Sequence, residues 1–115
     1  MAPGYPNFFF VLGPNSAPNH AAGVNMVIEA QINWMIETLD IMVADGARRV
    51  EPTMEAYDRW NAQVEQQMAQ MIWSHPKAKS YYLNSQGRNI ISCPFRLADY
   101  WSWTRHPARA DLKID

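Results

Sequence analysis

An unbroken apolar run at residues 8–12 (FFFVL) stands between two turn-forming pairs, Pro6-Asn7 and Gly13-Pro14. The run is too short for a helix and shows no alternation of apolar and polar residues, which predicts a strand buried on both faces. Such strands are typical of parallel sheets, whose neighbouring strands are joined by crossover helices. Nothing downstream supplies these neighbours, so we expect the rest of the sheet to lie on sequence that this chain does not contain.

A long amphipathic helix is predicted from about Gly23 to Ala44, after a turn at residues 13–19 that is rich in Gly, Pro, Asn and Ser. Gly46 suits its C-terminal cap. The strand, turn and helix together make half of a βαβ element. The apolar residues that form one face of the helix recur at three- and four-residue steps; they are Val24, Val27, Ile28, Ile32, Met35, Ile36, Leu39, Met42 and Val43.

A second helix is predicted after Thr53, which is a suitable N-cap, with Glu55 in the first turn facing the helix dipole. We expect it to end near Trp73, just before His75-Pro76 closes it. The residues of its core face are Tyr57, Trp60, Val64, Met68 and Met71.

The remaining predicted elements are short. Residues 48–51 are expected to extend briefly, and residues 81–83 and 89–92 flank a turn with Gly87, which predicts a hairpin or two short strands. Residues 97–104 predict a short aromatic helix, and the chain from Arg105 onward is expected to be a tail. The whole pattern predicts an α/β fragment with one buried parallel-type strand, two long helices, a short hairpin and a short C-terminal helix.

Composition narrows the class of protein further. Of 115 residues 48% are hydrophobic and the net charge is -1, so the chain has apolar surface to bury and no charge excess that would favour nucleic acid or an anionic membrane. No apolar run approaches the roughly 18 residues that span a bilayer, and no secretory signal opens the chain. The single cysteine, Cys93, fits a reducing compartment. We therefore expect a soluble, cytoplasmic protein.

The first charged side chain is Glu29; no Asp, Glu, Lys or Arg precedes it. A terminal segment usually lies at the surface and carries solubilising charge. The uncharged N-terminal segment, with its apolar run at residues 8–12, is instead typical of sequence from a protein interior whose surrounding residues are missing.

Residue spacing excludes several chemistries. The glycines at positions 4, 13, 23, 46 and 87 form neither a dinucleotide fingerprint nor a phosphate loop. His20, His75 and His106 lie far apart without a cysteine or carboxylate at ligand spacing, so no metal site is expected. Cys93 has no adjacent basic residue to lower its pKa, so we expect a buried, unreactive thiol.

The turn at Leu12-Gly13-Pro14-Asn15 could carry chemistry. At the C-terminal end of a parallel strand, a tight turn into a helix presents free backbone N–H groups and a positive dipole end. Open α/β sheets bind ligands at such places, and the site suits an anionic or electron-rich group. An ordinary structural turn between strand and helix explains the same residues, and both interpretations stay open at this point.

The order of the segments along the chain resembles a known family. Residues 4–15 (GYPNFFFVLGPN) are similar to the segment of flavin-containing and Baeyer–Villiger monooxygenases where the chain returns to the FAD domain, and residues 28–31 (IEAQ) resemble the pattern that follows it. Further segments resemble the C-terminal part of the Baeyer–Villiger branch, closest to the 4-hydroxyacetophenone monooxygenase group: Ser80-Tyr81-Tyr82, Asn84, Gly87-Arg88, Asp99-Tyr100-Trp101 and Thr104-Arg105.

This resemblance implies an enzyme with FAD as prosthetic group and NADPH as reductant. It would insert one oxygen atom beside a ketone carbonyl or onto a heteroatom of a small organic substrate. By the same resemblance, Gly13, Pro14 and Asn15 would lie by the flavin ring. The helix opening at Val24 and Asn25 would aim its dipole at the pyrimidine edge of the ring.

The nucleotide and domain assignments also follow from the resemblance. Tyr81 stands where the family commonly has a Trp that touches the nicotinamide nucleotide, and Asn84 belongs to the same surface. Residues 1–46 would be the last strand-turn-helix of an FAD-binding domain, torn from a larger dinucleotide-binding fold, and residues 47–115 a C-terminal helical and hairpin extension. The family's dinucleotide motifs, fingerprint sequence and active-site Arg belong upstream, so this chain should hold no catalytic residue and be inactive alone.

Two other functions stay open. One is a stand-alone α+β module that binds a protein partner through an exposed strand edge. The other is a small-ligand binder that uses the Gly13 turn without redox chemistry. The uncovered run at residues 8–12 would make the isolated chain prone to self-association.

Overall fold

The computed structural model describes residues 1–18 and 23–115. Its elements, in order, are β1 (Ala17–Pro18), α1 (Val24–Ala44), β2 (Val50–Pro52), α2 (Met54–Met68), β3 (Ser92–Cys93), α3 (Leu97–Trp103) and β4 (Leu112–Ile114). Short 3-10 turns occupy Ile72–Ser74 and Arg109–Asp111. The described residues thus form a small α/β domain, in agreement with the predicted class. Its origin in a larger dinucleotide-binding fold stays a prediction.

Helix α1 matches its predicted position closely. It ends where Gly46 takes a left-handed φ of 68°, a conformation that glycine adopts without strain. The N–H of Gly46 donates to Val43 O and that of Ala47 to Met42 O, both at 3.0 Å. These two bonds satisfy carbonyls that the end of a helix leaves unpaired, in the Schellman pattern.

Helix α2 begins as predicted but ends earlier. The Thr53 side chain accepts a hydrogen bond from the Ala56 N–H at 3.1 Å, which confirms it as the N-cap. The helix stops at Met68 rather than near Trp73. The Ser74 hydroxyl donates a hydrogen bond to the Met68 carbonyl at 2.6 Å, and the chain there forms a 3-10 turn. A terminal carbonyl satisfied in this way no longer favours another α-helical turn.

The prediction of a buried strand at residues 8–12 is wrong. Leu12 has a positive φ of 54° and Asn7 one of 62°, which interrupts extended backbone. No strand pairs with this segment among residues 1–18 and 23–115. An apolar run signals a preference for burial, whereas a strand also needs neighbouring N–H and C=O groups. The exposed side chains of the segment are Phe8, Phe10, Val11 and Leu12.

The predicted tail is also wrong, because β4 pairs with β2. The antiparallel register places Val50 opposite Ile114 and Pro52 opposite Leu112. Val50 and Leu112 are buried while Lys113 points outward, as strand alternation requires. Three exposed ion pairs flank this sheet: Lys113–Glu51 (3.0 Å), Arg109–Asp45 (2.7 Å) and Arg59–Asp111 (2.6 Å).

The predicted hairpin forms only in part. One antiparallel bridge joins Leu83 to Asn89 around a turn in which Gly87 has a φ of 76°. The chain then leaves the hairpin, and β3 pairs in parallel with β1, with Ala17 opposite Ser92. Residues 89–93 therefore connect the hairpin to the N-terminal segment.

Two packed clusters hold the helices together. Val27 and Ala30 of α1 are buried with Cys93 and Tyr100. A second cluster joins α2 to α3 through aromatic rings whose centroids lie 5.0 to 6.0 Å apart; its members are Trp60, Phe95 and Trp103. No helix in the described part of the chain is long and apolar enough to cross a membrane.

We predict that Thr53→Ala lowers the free energy of unfolding by about 1 kcal/mol, since it removes the side-chain oxygen that caps α2. Thr53→Ser keeps that oxygen and should cost far less. Urea unfolding followed by circular dichroism measures both variants. Equal losses in the two variants would show that the cap bond is not the cause.

Candidate functional site

The turn at residues 13–16 lies at the surface but is fastened to the interior. Pro14 is exposed and Gly13 half-buried, whereas the Asn15 side chain is buried. Asn15 has a φ of 52°, in the left-handed region that Asn tolerates better than most residues. Ser16 closes the turn, since its hydroxyl donates to the Gly13 carbonyl at 2.7 Å.

The Asn15 amide ties this turn to the segment before β3. Its Nδ2 donates to the carbonyls of Asn89 and Ser92, at 2.9 and 3.0 Å. Its backbone N–H donates to the Ile90 carbonyl at 3.1 Å. Because burying an amide is unfavourable unless it is hydrogen-bonded, these contacts fix both the position and the orientation of the turn.

Gln31 makes the corresponding link to the helices, and the sequence analysis did not predict this role. Its side chain is only 6% exposed. The Oε1 accepts from the Leu12 N–H at 2.8 Å, while Nε2 donates to the Ser16 carbonyl at 3.1 Å and to the Tyr100 hydroxyl at 2.8 Å. A polar residue on the apolar face of a predicted helix is the signal that could have identified it.

Helix α1 begins at Val24, close to its predicted start at Gly23. Gly23 caps the helix without a side-chain hydrogen bond, and the first turn contains no acidic residue. Val24 and Asn25 are exposed. Backbone N–H groups and the positive end of the dipole at a helix start attract anionic or electron-rich groups.

Gly13 packs against Phe10 of the same chain. A Cβ built on Gly13 would lie 2.5 Å from the Phe10 Cβ, closer than carbon atoms approach. The requirement for glycine at this position follows from this internal contact, and no open cradle for a ligand lies on that side of Gly13.

Tyr81 and Asn84 lie on the hairpin, which residues 89–92 link to the Gly13 turn. Tyr81 is 85% exposed and its ring packs edge-on against Tyr82, with centroids 4.3 Å apart. The Asn84 Oδ1 accepts from the backbone N–H groups of Gln86 and Arg88, both at 3.0 Å. Asn84 therefore shapes its own loop, while the Tyr81 ring is free to contact another molecule.

Cys93 is buried, which confirms the prediction. Burial raises the pKa of its thiol to about 11, so the thiol stays protonated and unreactive near neutral pH. The described ranges 1–18 and 23–115 contain no group of three or more His, Cys, Asp or Glu side chains that could hold a metal ion. His20 lies outside the described residues.

Comparison with known proteins gives the class of protein. An uncharacterised monooxygenase of Sinorhizobium fredii is 36% identical over 99 residues, covering 86% of this chain and 15% of that protein. A Baeyer–Villiger monooxygenase of Streptomyces coelicolor is 30% identical over 114 residues (98% and 22%). A phenazine N-monooxygenase of Lysobacter antibioticus is 33% identical over 114 residues (96% and 20%). No family model and no solved structure matches the chain.

All three relatives are named as monooxygenases. The chain is similar to Baeyer–Villiger and related flavin monooxygenases, which confirms the resemblance found in the sequence. It spans only 15% to 22% of the length of these three relatives. The similarity therefore relates this chain to one segment of such a protein.

We predict that Asn15→Asp destabilises the chain by about 2 kcal/mol or more, because a carboxylate cannot donate to the two carbonyls that the Asn15 amide binds. Asn84→Asp is the matched control. Asn84 uses its oxygen as an acceptor for two N–H groups, so a carboxylate serves equally well there. Urea unfolding at pH 7 compares the two variants, and similar stabilities would contradict the proposed role of the Asn15 amide.

Proposed function

We propose that this chain is a segment of an FAD- and NADPH-dependent monooxygenase that inserts one oxygen atom beside a ketone carbonyl or onto a heteroatom. The observation that carries the proposal is the alignment of 98% of this chain with a Baeyer–Villiger monooxygenase. Oxygen insertion beside a carbonyl is the chemistry of that class of enzyme. The similarity to a phenazine N-monooxygenase supports a heteroatom as the alternative acceptor.

Two features of the described residues support contact with one edge of a flavin ring. Pro14 is exposed on the turn, and α1 begins at the exposed residues Val24 and Asn25, after Gly23, which has no side chain to cap the helix. We propose that Gly13, Pro14 and Asn15 lie by the ring and that the start of α1 faces its electron-rich edge. When bound, the flavin would supply the oxygen chemistry, and these residues would hold the ring in place. Because Phe10 covers one side of Gly13, the ring would meet the turn from the other side.

We propose that the nicotinamide nucleotide meets the chain at the hairpin. The exposed ring of Tyr81 offers an aromatic surface on which a base or nicotinamide can stack. Asn84 is the weaker contact of the two, since its side-chain oxygen already accepts two backbone hydrogen bonds. Tyrosine in place of the family's usual Trp provides a smaller stacking surface.

We propose that residues 1–46 belong to an FAD-binding domain and residues 47–115 extend it, and that the chain alone is inactive. Apolar side chains of α1 are exposed at steps of four, three and four residues: Ile32, Ile36, Leu39 and Val43. With the exposed side chains of the run at residues 8–12, they make an apolar surface that we expect to be covered by other protein. The rest of a longer protein would cover it, and in the isolated chain other copies would do so.

The alternative, a stand-alone interaction module, has less support. It depended on the edge of a strand at residues 8–12, and no strand forms there. DNA upstream of the Met1 codon separates the two functions. An in-frame or frameshifted stretch that encodes glycine-rich dinucleotide motifs supports the monooxygenase, whereas non-coding sequence favours the module.

We predict that the purified chain does not retain FAD. The adenosine and pyrophosphate of FAD are normally held by a glycine-rich loop at a helix N-terminus, and the five glycines of this chain form no such loop. Flavin absorbance per mole of protein after dialysis measures retention. Stoichiometric flavin in the dialysed chain would contradict the prediction.

A chimera tests the complete activity, with this chain replacing the aligned segment of the Streptomyces coelicolor enzyme. We predict that Gly13→Val lowers its flavin content, since the new side chain displaces Phe10 and the turn. Tyr81→Ala should keep the flavin and raise the KM for NADPH. Flavin absorbance and NADPH oxidation separate the two variants. Combining Gly13→Val with Phe10→Gly, which removes the Phe10 Cβ that the new side chain meets, shows whether Phe10 causes the flavin loss. Full flavin and normal turnover in the Gly13→Val chimera would contradict the placement of the turn.

A further inference from the structure

The Gln31 amide is connected to three separate parts of the chain. Its oxygen accepts from the Leu12 N–H just before the Gly13 turn, and its nitrogen donates to the Ser16 carbonyl just after it. The same nitrogen donates to the Tyr100 hydroxyl on α3. One side chain therefore holds both ends of the turn and joins them to two helices.

The turn needs such support because its backbone is strained. Leu12 and Asn15 have φ values of 54° and 52°, in the left-handed region that costs side-chain-bearing residues free energy. Strain of this kind persists only where surrounding contacts fix the conformation. Asn15 supplies those contacts toward the segment before β3, and Gln31 supplies them toward α1.

The position of Gln31 on α1 connects the turn to the start of the helix. Gln31 lies seven residues, or about two helical turns, after Val24, the first residue of α1. A hydrogen-bonded helix is stiff over that distance. The bonds of Gln31 therefore fix the Gly13 turn at a set position relative to the start of α1 at Val24 and Asn25.

We propose that Gln31 is a positioning residue that aligns the Gly13 turn with the start of α1, so that both meet the same flavin edge. This inference rests on the proposed function. Gln31 would not touch the flavin itself, because it is buried and its amide is occupied by the chain. Its effect on the flavin is transmitted through the Leu12 and Ser16 backbone groups.

Three variants separate this role from general stability. Gln31→Met keeps the approximate side-chain volume and removes every hydrogen bond of the amide. Gln31→Glu keeps an acceptor for the Leu12 N–H, but a carboxylate cannot donate to the Ser16 carbonyl. Tyr100→Phe is the matched control, because it removes only the bond between α1 and α3 and leaves both bonds to the turn.

The first measurement is amide hydrogen exchange of the isolated chain by NMR, at a concentration where light scattering shows a monomer. We expect Gln31→Met to accelerate exchange at the Leu12 N–H by about tenfold or more, the equivalent of one lost hydrogen bond. Gln31→Glu should give an intermediate rate, and Tyr100→Phe the rate of the unchanged chain. The Val64 N–H in α2 reports opening of the whole chain. Unchanged Leu12 exchange in Gln31→Met, or equal acceleration at Leu12 and Val64, would overturn the positioning role.

The second measurement uses the chimera and reads the dissociation constant and midpoint potential of its flavin. We expect Gln31→Met to weaken flavin binding several-fold and to shift the potential, and Tyr100→Phe to change neither. If Leu12 exchange rises but flavin affinity and potential stay constant, the positioning proposal is wrong while the proposed function stands. If the folded chimera with Gln31 intact takes up no flavin, the proposed function itself fails.

Discussion

The N-terminal part of this chain depends on two buried amides that are hydrogen-bonded to distant backbone. Asn15 donates to carbonyls 74 and 77 residues away, and Gln31 joins Leu12, Ser16 and Tyr100. The buried apolar cluster that accompanies them is small. Leaving a buried amide unpaired costs about 1–3 kcal/mol. Because hydrogen bonds in a buried network strengthen one another, we expect these contacts to act as a unit. The turn, β1 and the start of α1 keep their arrangement only while that unit is intact.

The sequence was sufficient where the structure is local. Periodicity located α1, while Gly46 and Thr53 marked a helix end and a helix start, because caps and helix faces are made by residues within a few positions of each other. Prediction from the sequence was wrong where a strand depends on pairing with another strand. Residues 8–12 have the composition of a strand but no partner strand among residues 1–18 and 23–115. Residues 112–114 form a strand because β2 offers an edge 60 residues earlier.

The candidate site was predictable only in outline. Turn composition and resemblance drew attention to Gly13 and Asn15, and the helix start at Val24 follows from the periodicity of α1. The side-chain roles could not be predicted, since the partners of Asn15 and Gln31 are carbonyl groups and a hydroxyl that the fold alone brings near. Likewise, the contact between Gly13 and Phe10 depends on the left-handed φ of Leu12.

The pairing of β2 with β4 has a consequence for how the chain is made. Val50 is paired with Ile114, so the strand that completes this sheet is synthesised more than sixty residues after the strand it joins. Contacts of such sequence separation form late, because a long loop must close before they contribute free energy. During translation α1 can form first. Val50, which is fully buried in the folded chain, stays without its β4 partner until residues 112–114 have left the ribosome.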